Sequence, residues 1–148
     1  MTLIETIGDR IHAINETIAG VRADRYFDTN SQQGTLPVLV PVVGRIVSTD
    51  RLYEGFRRIT RQWSLYTYVW NMNAGLPSRS AQKKAEALIE EIEGAYDVRD
   101  RLQLNGDIPD YVHRALLGDD SGITVRDDGL AVIEFPLLVT YDRAVTLE

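Results

Sequence analysis

The run Ile59-Thr60-Arg61-Gln62-Trp63-Ser64-Leu65-Tyr66-Thr67-Tyr68-Val69-Trp70 decides how this chain is read. It is rich in β-branched and aromatic residues, and no glycine or proline breaks it, so it predicts a long strand. Strand side chains alternate between faces. Ile59, Trp63, Leu65 and Val69 therefore share one face, and Tyr66, Tyr68 and Trp70 share the other. The first face supplies core. The second is aromatic as well, and something must cover it, either a helix of the same chain or another subunit.

Upstream, Leu36 to Gly44 reads Leu-Pro-Val-Leu-Val-Pro-Val-Val-Gly. The valines predict a strand. Pro37 and Pro41 each remove a backbone donor, which places that strand at an edge or at a bulge. Gly44 suggests a turn, and 45–58 is ambiguous, with Asp50 and Gly55 as turn points. Residues 22–35 read as a long polar loop without periodicity.

Two helices flank these strands. Ile4, Ile7, Ile11, Ile14, Ile18 and Val21 form one apolar stripe, predicting a helix over 3–21. Thr2 and Glu5 match a capping box at its start, and Gly20 is a stop. A second helix is predicted over 79–104. Ala81, Ala85, Leu88, Ile92, Ala95, Arg99 and Leu102 lie on its inner side, Tyr96 lies beside them, and Asn105-Gly106 is its stop. Residues 107–120 read as a variable stretch with a short helical turn around Tyr111 to Leu117.

The C-terminal part predicts a hairpin of 122–126 with 129–142, turned at Asp127-Asp128-Gly129. Its last strand is apolar on both faces. Ala131, Ile133, Phe135, Leu137 and Val139 lie on one face, and Leu130, Val132 and Leu138 on the other. The expected architecture is a single α+β domain over 1–148. It has two layers, a mostly antiparallel sheet with two long helices packed on one face.

The chain has 148 residues and no cysteine, which excludes disulfides, thiolate nucleophiles and Cys-type metal sites. The start, Met1 to Glu5, has no basic segment or long apolar core, so no signal peptide is expected. The apolar runs are far shorter than the ~20 residues of a membrane helix, so no membrane partner is expected. The net charge of −6 opposes a dedicated nucleic-acid binder.

Catalytic patterns are missing. His12 and His113 are far apart in sequence, and no nucleophile elbow, Walker loop or dinucleotide fingerprint occurs. The acid pairs Glu90-Glu91, Asp119-Asp120 and Asp127-Asp128 read as solvated surface and turn residues. Asn105, Asp107 and Asp110 are too few for a calcium loop. The expectation is no enzyme, no cofactor and no metal. The interaction candidates are Arg57, Arg58 and Arg61, followed by Trp63, and the Tyr66, Tyr68, Trp70 stripe. Arginine with aromatics suits partner or phosphate contact. The plainer alternatives are a solvated strand start paired with acids, and a stripe covered by the chain's own helix.

The order of elements resembles the tail terminator family of long-tailed, siphovirus-like bacteriophages. The segments that carry the resemblance are Ile4–Val21, Leu36–Val43, Ile59–Trp70, Ala81–Leu102 and Leu130–Tyr141. It implies a structural virion protein, assembled in the host cytoplasm, that forms a ring of six copies at the head-proximal end of the tail tube. Such a ring stops tube growth and meets the head-side connector. The implied partners are further copies of the chain, the tail tube protein and the connector protein. DNA would pass through the channel without sequence-specific contact, which negative charge would suit. Loops 22–35 and 105–120 would serve ring and tube contacts. Two other readings stay open: another head–tail joining or tube-like structural protein, and a small-molecule-binding or enzymatic α+β domain.

Overall fold

The aromatic run lies within β3 (Phe56–Asn71), a 16-residue strand at the middle of the sheet. The computed structural model describes residues 2–26, 36–51, 55–71, 79–126 and 129–144. β3 pairs antiparallel with β2 (Val38–Arg51) on one side and β6 (Leu130–Ala144) on the other. The order across the sheet is β1 (Arg22–Ala23), β2, β3, β6, β4 (Val112–Leu117). β5 (Thr124–Val125) also pairs with β6. Among the described residues only the β1–β2 pair is parallel. Helices α1 (Leu3–Asn15) and α2 (Arg79–Asp97) complete the α+β fold.

The apolar stripes explain the layering. Ile7, Ile11 and Ile14 of α1 and Ala85, Leu88, Ile92 and Tyr96 of α2 join one buried cluster. The sheet contributes Ile59, Trp63 and Leu65 of β3, and Ile133, Phe135, Leu137, Val139 and Tyr141 of β6. These strand residues alternate, so one face of the sheet carries the core and both helices lie on it. Thr2 caps α1, its hydroxyl accepting from the Glu5 amide at 3.1 Å. Across the helix layer, Tyr96 donates its hydroxyl to Asn15 Oδ1 at 2.5 Å, both residues being buried.

The opposite face is thinner. Val38, Val40, Tyr68 and Val132 form a small second cluster, with Leu36, Tyr66 and Leu130 half-buried against it. Leu138, on the same face, is half-buried.

Several boundaries differ from the sequence reading. α1 ends at Asn15, where Thr17 and Ile18 bond back to the carbonyls of Ile14 and Asn15 in a tighter turn. The Thr17 hydroxyl also takes the Ile14 carbonyl at 2.7 Å, competing with the helix ladder. α2 ends at Asp97, and Leu102 reaches the core from a left-handed backbone at φ 54. Asn105 and Gly106 are not its stop. They hold positive φ of 54 and 82 between Leu104 and Asp107, which exchange two backbone bonds of 2.9 Å. That is the two-residue turn that Asn-Gly favours.

The expected helical turn around Tyr111 to Leu117 is strand β4. A bulge at His113 places the buried Val112 and Ala115 three residues apart, a spacing that imitates a helix. The polar loop 22–35 begins with strand β1, whose two residues are too few to show a pattern, and 27–35 lie outside the described residues. Gly44 makes no turn: β2 runs on through Asp50 to Arg51 with register shifts on both sides of Ile46. Pro41 lies past the end of β1, at a position of β2 with no strand partner on that side among the described residues, as its missing donor requires. Gly55 is a turn residue at φ 80, and so is Gly129 at φ 87; Asp127 and Asp128 lie outside the described residues.

Candidate functional site

The three arginines of the cluster have three different fates. Arg58 points to the thin face and donates from Nε to Asp142 Oδ1 at 3.0 Å, across the β3–β6 ladder. His113 Nε2 lies 2.6 Å from Asp142 Oδ2 and 3.0 Å from Arg58 Nη2. One ring nitrogen cannot donate to the carboxylate and accept from the guanidinium at once, and the shorter contact marks donation to Asp142. The Arg58 hydrogen bond holds the Asp142 carboxyl below the usual range, with His113 adding to the effect. Asp142 in turn raises the Arg58 pKa, and Asp50, directly opposite Arg58 on β2, does so more weakly.

Arg61 lies on the helix face. Its Nη1 donates to the Gly44 carbonyl at 2.8 Å, and its Nε to the Tyr141 hydroxyl at 3.3 Å. It therefore clamps the β2 bulge to the sheet. Arg57 stands at the rim of the core with its Nε buried and without a partner among the described residues. Trp63 is buried in the core. Arg25 covers it at 5.9 Å from the ring and bonds Asp9 at 2.8 Å. Gly8 makes room there, since a Cβ at residue 8 would strike the Arg25 guanidinium.

The aromatic stripe is divided. Tyr66 and Tyr68 stack on the thin face with centroids 6.3 Å apart, and the Arg126 guanidinium lies 5.7 Å from the Tyr68 ring. Trp70 does not share that face. A register shift between Tyr68 and Trp70 turns both Val69 and Trp70 toward the main core. Tyr68 is buried, while Tyr66 and Trp70 are half-buried on opposite sides of the sheet.

In the outer half of β2, Val42 and Val43 belong to the strand the sequence predicts, while 45–51 fall in the stretch it leaves ambiguous. From Val42 to Arg51 every residue but Gly44 is exposed, and β1 borders only Val38 and Leu39. Val42, Val43, Ile46 and Val47 are 41–51% exposed, and Phe56 across the hairpin is 46% exposed. Register shifts around Ile46 expose apolar side chains to both sides, so no simple alternation betrayed a strand there. An apolar strand with an open edge is a ready template for another chain.

His113 and Asp142 form a His–carboxylate pair that the sequence reading did not foresee. They sit half-exposed on a sheet surface, tied to Arg58. A groove of about 660 Å³ opens elsewhere, lined by Ala19, Leu36, Pro37, Val69, Ala85 and Leu88, with Lys84 and Glu91 as its charged residues. Among the described residues no three His, Asp or Glu side chains are grouped to hold a metal. No helix among them is long and apolar enough to cross a membrane. No protein-family model matches the chain. No curated protein matches it either.

Proposed function

We propose that this chain is a structural virion subunit, the tail terminator of a long-tailed bacteriophage. Copies of it would form a ring, of six by the family resemblance, at the head-proximal end of the tail tube. The ring would end tube growth and receive the head-side connector, with DNA passing through its channel. The observation that carries the reading is the outer half of β2, where Val42, Val43, Ile46 and Val47 are exposed and the outer edge pairs with no strand among the described residues. Such an edge is a template for another protein chain, and in this reading a further copy of the same chain covers it. The half-buried Tyr66, stacked on the buried Tyr68, adds a second surface for contact. The His113–Asp142 pair is read as an electrostatic tie between β4, β6 and β3 and not as an acid–base site. Electron microscopy of the purified protein, alone and with tail tubes, tests the reading. Closed rings capping tube ends support it, and uncapped tubes beside a monomeric protein reject it.

A further inference from the structure

Three arginines stand in one row across one end of the sheet. Arg51 of β2 is the direct partner of Arg57 of β3, and Arg57 is the direct partner of Arg143 of β6. Directly opposed residues project from the same face, so the row is a short cationic bar. Like charges set opposite one another destabilise a sheet. Among the described residues none of the three has an ion pair. An arrangement of this kind is relieved when an anionic surface lies against it.

The chain carries a surface of matching length. Glu86, Glu90 and Glu93 follow spacings of four and three on α2, which puts them on one helix face. All three are exposed, and none has an ion pair among the described residues. The two surfaces therefore do not meet within one copy. Strands lie about 4.8 Å apart, so the arginine row spans about 10 Å. Seven residues of helix rise about 10.5 Å, so Glu86 and Glu93 reach the ends of the row with Glu90 between them.

We infer that the Arg51–Arg57–Arg143 row of one copy docks on the Glu86–Glu90–Glu93 face of α2 in a second copy. In the ring on which this inference rests, the contact repeats head to tail, each copy giving one row and one helix face. A nucleic acid is the weaker occupant, since the exposed valines of β2 lie on the same ribbon and the chain is acidic as a whole.

The test is a charge swap read by sedimentation velocity at low salt over a wide protein concentration range. One variant carries Arg57→Glu and Arg143→Glu, a second carries Glu90→Arg and Glu93→Arg, and circular dichroism checks that each folds. Should either misfold, Arg143→Gln and Glu93→Gln replace them. The unmodified chain is expected to associate, and each variant alone to lose about tenfold or more in association constant. Mixing the two variants should restore association, because reversed row then meets reversed helix. Added salt should weaken the unmodified contact. A chain that stays monomeric throughout, or association that ignores both swaps, overturns the docking. So does a row variant that loses only retention on duplex DNA. Rings seen by microscopy despite insensitivity to the swaps would leave the ring reading standing without this contact. A two-fold dimer sensitive to them would keep the contact and remove the ring.

Discussion

The carbonyl oxygen of Gln62 lies 2.5 Å from where a Cβ on residue 44 would stand, so Gly44 is the one residue type that lets β2 approach β3 at its bulge. The contact is with backbone, which cannot swing aside. Arg61 then closes the bulge by donating to the Gly44 carbonyl at 2.8 Å. The outer half of β2, on which the proposed assembly depends, is held in its register by this pair of contacts.

Gly44→Ala is therefore expected to destabilise the fold by about 1–3 kcal/mol, the usual range for forcing an added carbon into a filled site. A denaturant melt measures it. A change within about 0.5 kcal/mol, the range of an ordinary surface substitution, would show that the bulge can relax.

Ile14 is fully buried between the helix layer and the sheet. Ile14→Ala should cost about 2–5 kcal/mol. A loss below about 1 kcal/mol in the same melt would contradict the placement of α1.

Tyr96 carries its hydroxyl into the core, and burial pushes its pKa up, so it stays a neutral donor to Asn15. Tyr96→Phe leaves the buried Asn15 carbonyl without that donor and should cost about 1–3 kcal/mol. Tyr96→Phe with Asn15→Leu should recover part of the loss, since an apolar pair leaves no polar group unpaired. Additive losses in the double variant would mean that the two groups are not coupled.

The pH dependence follows from Asp142. Its folded pKa is depressed, chiefly by the Arg58 hydrogen bond. The stability it contributes is present above the unfolded carboxylate value, about 3.9, and is lost as the pH falls through the lower folded value. Asp142→Asn should therefore flatten the stability profile below about pH 4 and weaken the β3–β6 tie above it. Parallel acid profiles for the variant and the unmodified chain would show that the tie is too solvent-screened to matter.

The parts of the fold legible in the sequence were those with an unbroken period. Ile7, Ile11 and Ile14 of α1, Ile59, Trp63 and Leu65 of β3 and the alternating residues of β6 are buried as their spacing required. The rest was hidden by bulges. The one at His113 spaced Val112 and Ala115 like a helix, and the shift before Trp70 took that side chain away from Tyr66 and Tyr68. The arginine row could not be read at all, because Arg51, Arg57 and Arg143 become neighbours only through the register of three strands. The His113–Asp142 contact likewise joins β4 to β6 over 29 residues.

The central claim is that this chain works as a ring on the end of a tail tube. Electron microscopy of tail tubes assembled with the purified protein tests it most directly. A closed ring of copies is expected at one end of each tube, around an axial channel, with the outer half of β2 covered by a neighbouring subunit. Tubes that grow without a terminal ring, or a ring in which Val42, Val43, Ile46 and Val47 face open solvent, would contradict it.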